Sequence, residues 1–204
     1  MDNVTIYCFL ASYAVAFALE LTRLFRQSAI RPIVVLAFTA GGFLAHTFLL
    51  LNHSEDADLP PLLSSSRDWL LVLAWLVTGF YLFITVCDRK LSIGIFMLPL
   101  VLVLVASSYF VSEATNTSLT VQRGWSMLHA ASLALGSGGV LVGIVLSLMY
   151  LIQHRRLRRG EVASIGLSLP NLERLARLNW WAVVIAVPLL TTGMVTGLVL
   201  LLLG

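Results

Sequence analysis

The sequence predicts an all-α, polytopic integral membrane bundle of about six transmembrane helices, and three observations predict it. Of the 204 residues, 59% are hydrophobic and only 11% are charged, whereas a soluble domain carries roughly 25% charged residues. Mean hydropathy is +0.94. Six apolar runs reach the ~20 residues that cross a bilayer as helix, and none alternates with period two as a membrane barrel strand would. Lipid offers no partner to backbone N–H and C=O groups, so each run must be helical.

The first span covers about 4–25. It is read as a true span and not a cleaved leader, because "MDNV" lacks a basic n-region and the apolar run continues past Ala16-Phe17-Ala18. The second, 31–51, ends in an acidic loop, "NHSEDADLPPLLSSSRD" (52–68), with a Pro-Pro stop and a short Ser run. The third and fourth, 69–87 and 91–111, are joined by "DRK" alone, which makes them antiparallel neighbours. A short polar loop leads to the fifth span, 125–150. The segment 153–179 is the longest connection. Within its part 168–179, Pro170 marks a helix start, and Leu172, Leu175 and Leu178 recur at helical spacing opposite Arg174 and Arg177. That pattern predicts an interfacial amphipathic helix leading into the sixth span, 180–203. Residues 1–204 read as one transmembrane domain.

Charge sets the expected orientation. Arg23, Arg26, Arg31, Arg89, Lys90, Arg155, Arg156, Arg158, Arg159, Arg174 and Arg177 lie in or beside the odd-numbered loops, leaving only Arg67 and Arg123 of the 13 basic residues for the other side. The positive-inside rule then predicts both termini outside. The net charge of +3 is thereby a topology signal that calls for no nucleic-acid partner. Cys8 and Cys87 fall near opposite ends of their spans, too far apart for a disulfide.

Ionisable residues within spans are costly and default to functional hypotheses. Glu20 stands three and six residues before Arg23 and Arg26, which suits an ion pair at the inner interface. His129 shares one helical stripe with Ser132, Gly136, Gly139 and Gly143. Small residues at this spacing admit a neighbouring helix closely, and Gly193-xxx-Gly197 in the sixth span offers the matching stripe. In that span Pro188 frees backbone groups that Thr191 and Thr192 are expected to satisfy. His46 forms a second inward stripe with Thr39 and Gly42. Either histidine alone is accounted for by packing against a carbonyl. Together, at matched depth in the outer half of the bilayer, they suit axial ligation of a haem iron. His53 continues the His46 stripe into the outer loop as a possible surface ligand, and His154 lies among arginines at the inner side. A zinc site would want three or four convergent ligands, and no HExxH, CxxC, GxSxG or P-loop pattern is present.

Three motifs follow one another in the second half of the chain: Trp125-xxx-His129, then "LPNLERL" after a basic loop, then "PLLTTGMVTG". In this order they resemble the cytochrome c assembly protein family of CcsA and CcmC, closest to its HemX/YpjD-like branch. The resemblance implies haem handling at the outer face of an energy-transducing, bacterial-type inner (plasma) membrane, with haem b as ligand and other cytochrome c maturation membrane proteins as partners. It makes His129 the counterpart of the family's outer-side ligand and His46 that of its intramembrane ligand, with Trp125 beside them. Arg67 and Arg123, the outer-side cations, are the candidate partners of the haem propionates. The family's tryptophan-rich WWD segment has no counterpart among these residues, so a haem-binding subunit or accessory is expected and not a stand-alone enzyme. Two other readings stay open: a bis-histidine electron-transfer cytochrome, and a structural or regulatory protein whose histidines only pack.

Overall fold

The structure, a computed structural model, describes residues 2–22, 30–57, 62, 65–87, 93–111, 123–159 and 170–203. Six helices account for nearly all of them: α1 Asp2–Leu21, α2 Arg31–Ala57, α3 Ser66–Cys87, α4 Gly94–Ser108, α5 Arg123–Arg158 and α6 Leu172–Leu203. No strand occurs among the described residues. Four helices hold stretches long and apolar enough to cross a membrane: Arg31–Asn52, Ser66–Cys87, Gly124–Arg158 and Leu172–Leu202. Ile6–Leu21 and Gly94–Ser108 are apolar as well but shorter. The chain is a multi-pass membrane protein.

The helices fall into two groups. α1 packs on α2, α2 on α3, α3 on α4 and α4 back on α1, closing a four-helix ring. Its interior is built from stripes at three- and four-residue spacing. On α1 these are Ile6, Phe9, Tyr13, Ala16 and Glu20, and on α4 they are Met97, Leu98, Val101 and Val105. α5 leans on α3, with a lesser contact to α4, and α6 packs on α5 alone among the described helices.

Local chemistry sets the helix ends. At the start of α3, Ser65 Oγ accepts the Asp68 backbone N–H (3.1 Å) and donates to Asp68 Oδ2 (2.9 Å). One side chain thus serves an orphan donor of the first turn and fixes the carboxylate near the positive end of the helix dipole. Asn171 caps α6, its Oδ1 accepting the Arg174 N–H at 3.0 Å. From there α6 runs unbroken, so Leu172, Leu175 and Leu178 share one helix with the apolar span. Thirty-two residues at 1.5 Å rise give about 48 Å of helix.

One expectation in α6 is overturned. Thr191 and Thr192 donate to the carbonyls of Val187 and Pro188, each at 2.8 Å. These lie one turn behind each threonine, whereas the carbonyl that Pro188 deprives of its usual donor is that of Val184, four residues before the proline. A threonine reaches its own i−4 carbonyl, and neither stands at the right register for Val184.

Candidate functional site: two histidines in two interfaces

The α5–α6 seam is made by glycines on both sides. A Cβ at Gly139 would stand 3.0 Å from that of Ala186, and one at Gly136 would collide with Leu190 at 2.7 Å. Gly193 receives Leu133 in the same way, at 2.6 Å. Each glycine is the hole for a knob on the other helix, which is how small residues bring membrane helices close.

His129 is the last knob of this series. Its ring lies over Gly197, where a Cβ would stand 2.7 Å from His129 Cε1. Its Nδ1 is 2.7 Å from the Gly193 carbonyl oxygen. A carbonyl can only accept, so Nδ1 carries a proton and donates, and in the neutral ring Nε2 is the nitrogen with the lone pair. A backbone carbonyl that fixes one ring nitrogen is the usual support for a metal-ligating imidazole, whose other nitrogen faces the metal. The ring is only partly buried, and Nε2 has no hydrogen bond among the described residues. Trp125, one turn earlier, is 47% exposed.

His46 is housed differently. It is 0% exposed, lies flat on Phe9 of α1 (ring centroids 4.2 Å apart, 1° between planes), and has Tyr13 Oη 3.4 Å from its Nδ1. Gly42, one turn away, leaves room for Tyr13, since a Cβ there would stand 2.8 Å from the phenol ring. His46 Nε2 is buried without a hydrogen-bond partner. Both inward stripes are thus formed.

The two histidines do not meet. His46 belongs to the α1–α2 interface and His129 to the α5–α6 seam, while α3 packs against both α2 and α5, which share no contact. Similar depth along two helices does not make them neighbours, and the single shared site expected from depth is not assembled. Among the described residues no group of three or more His, Cys, Asp or Glu side chains gathers in a metal-binding arrangement.

Arg67, at the start of α3, lies over the Tyr109 ring with its guanidinium carbon 5.9 Å from the centroid. Tyr109 in turn stacks with Tyr7 at 6.3 Å. The side chains of Arg123 and His53 lie outside the described residues, as do Arg23 and Arg26. His154 stacks on Tyr150 at 6.2 Å, far along α5 from His129. Glu20 is 5% exposed and turns into the ring, its carboxyl carbon 3.2 Å from where a Cβ on Gly94 would be. Sequence reasoning missed Phe9 and Tyr13 as the surroundings of His46. Phe9, Tyr13, Ala16 and Glu20 form a stripe at three- and four-residue spacing that would have exposed this face of α1.

The family model described as "Cytochrome C assembly protein" matches residues 63–201. The "Cytochrome c biogenesis protein CcsA" of Chlorella vulgaris is 26% identical over 128 residues, which cover 60% of this chain and 40% of that protein. The match thus spans well under half the length of this curated relative. No solved structure matches the chain.

Proposed function

Because the chain belongs to the cytochrome c assembly protein family, with the role in cytochrome c biogenesis that this membership carries, we propose that it handles haem as a subunit or accessory of that process. His129 is the first axial ligand in this reading. The observation that carries it is the 2.7 Å bond from Nδ1 to the Gly193 carbonyl, which leaves Nε2 as the ring nitrogen available to a ligand. The residues fit the group in one further respect. His129 is partly buried, so its free nitrogen is within reach of a planar ligand laid against α5 and α6. His46, closed off by Phe9 and Tyr13, would be a separate ligand position inside the ring.

The finer parts of the proposal rest on the sequence. Haem b, an outer-face location in a bacterial-type plasma membrane, six spans with both termini outside, and maturation proteins as partners follow from charge asymmetry and the family. Arg67 and Arg123 would hold the propionates, with Trp125 and His53 at the rim. The test is a visible spectrum of purified protein titrated with haemin, alongside His129→Ala and His46→Ala, with haem counted per folded chain. Loss of the Soret band or a shift of its position in His129→Ala is expected. If both variants fold and keep the parent's spectrum and stoichiometry, the ligand assignment is wrong and His129 is a packing residue.

A further inference from the structure

We infer that the cleft between α5 and α6 seats one anionic phospholipid, with an acyl chain between the two helices and the phosphate at Arg155 and Arg158. The cleft holds about 480 Å³, within the ~300–1,000 Å³ of small-ligand sites. Its rim opens sideways, since Ile144, Leu148, Leu151, Val183 and Val187 are all exposed. Among the described helices α6 packs on α5 alone, so no third helix closes it.

The chemistry of the cleft changes in one direction. At the end nearer His129 the walls are Val140, Ile144, Ala186 and Val187, with no polar side chain. Next come Ser147 and Asn179, the two polar residues of the lining. They stand about one turn apart, because Asn179 Oδ1 lies 3.4 Å from where a Cβ on Gly143 would be. Both can donate to an ester carbonyl. Beyond Leu151 the same stripe of α5 continues at three- and four-residue spacing into Arg155 and Arg158. Helical side chains lean toward the N-terminus of their helix, so both guanidinium groups lean back toward the cleft. Both residues are exposed, and neither side chain has a partner among the described residues. Apolar, then neutral polar, then cationic is the order that tail, ester and phosphate follow along a phospholipid. From Val140 to Leu151 the stripe is about 16 Å long, close to the ~15 Å that one leaflet contributes to the hydrocarbon core. A zwitterionic headgroup brings its own cation to the two arginines and an anionic one does not, which selects the anionic class. Neither His46 nor His129 takes part, so the site stands or falls apart from haem.

Native mass spectrometry of the purified chain in detergent, titrated separately with phosphatidylglycerol and phosphatidylcholine, counts the lipids retained. The wild type should hold one phosphatidylglycerol several-fold more tightly than phosphatidylcholine. The Arg155→Gln/Arg158→Gln double variant should weaken phosphatidylglycerol by about fivefold for each arginine lost and leave phosphatidylcholine unchanged. Arg174→Gln/Arg177→Gln removes the same charge from the opposite face of α6, where those residues line a separate concavity, and should bind as the wild type does. Val183→Phe fills the cleft and should weaken both lipids. Equal retention of the two lipids by the wild type overturns the inference, and that comparison needs no variant to fold. An equal loss in the Arg174/Arg177 variant also overturns it, since the attraction would then be spread over the whole basic side. Unchanged retention in folded Val183→Phe removes the tail from the cleft, and a lipid-free dimer gives the cleft to a second copy of the chain; either result overturns the site.

Discussion

Helix α6 is as apolar as the long helices of the four-helix ring yet buried to a very different degree. In α2, 33% of the most apolar stretch is buried within the protein, in α3 and in α5 44%, and in α6 only 17%. Trp180, Trp181, Val195, Leu198, Leu201 and Leu202 are all exposed, which in water would be an aggregation hazard and in lipid is ordinary. The ring buries Phe9, Tyr13 and Tyr81 in its interior, and the α5–α6 arm holds to it through α5. The same residue type is therefore put to different ends. His46 in the ring is sealed beneath Phe9 and Tyr13, and His129 in the arm is anchored by one nitrogen and only partly buried. A histidine's identity and depth do not set its role; the packing of the helix that carries it does.

This contrast can be broken most forcefully in the ring. Tyr13 is 0% exposed and meets Gly42, His46 and Thr78. Tyr13→Ala should cost about 3–5 kcal/mol through the cavity it leaves, lowering the melting temperature in detergent sharply. Met194→Ala on α6, where the side chain is 72% exposed, should change stability by within about 0.5 kcal/mol. Equal losses in the two variants would mean that α6 is as enclosed as the ring.

The seam comes next. Gly139→Leu puts a branched side chain where a Cβ alone already stands 3.0 Å from Ala186, and overpacking should destabilise by about 1–3 kcal/mol. Gly41, with open space around it, is the control position: Gly41→Leu should melt like the parent or above it, given leucine's better helix propensity. A Gly139→Leu variant as stable as the parent would place the glycine stripe toward lipid.

The helices were legible in the sequence because apolar runs and helical segments coincide in a membrane. The ends were less so. Hydropathy marks the lipid-soluble part, whereas Ser65 and Asn171 set where α3 and α6 begin by capping, several residues into polar sequence. The glycine seam was legible because both partners carry the signal. The separation of His46 from His129 was not, since a sequence gives depth along each helix and leaves open which helices are neighbours. Phe9 and Tyr13 went unrecognised because an aromatic stripe in an apolar span reads as ordinary packing until the facing histidine is known.

The smallest expected effect tests whether the two regions share one surface. Arg67 belongs to the ring, at the start of α3, but α3 is the helix on which α5 rests. Its guanidinium over Tyr109 contributes about 0.5–1 kcal/mol, which Arg67→Gln should remove. If haem sits against His129 with a propionate directed to Arg67, the same change should also weaken haem retention several-fold while leaving the Soret position unmoved, because the axial nitrogen is untouched. Arg67→Lys should recover part of that retention, as it keeps the charge but loses the planar fork. A retention equal to the parent's in Arg67→Gln would confine the site to the arm, with the ring as its support only.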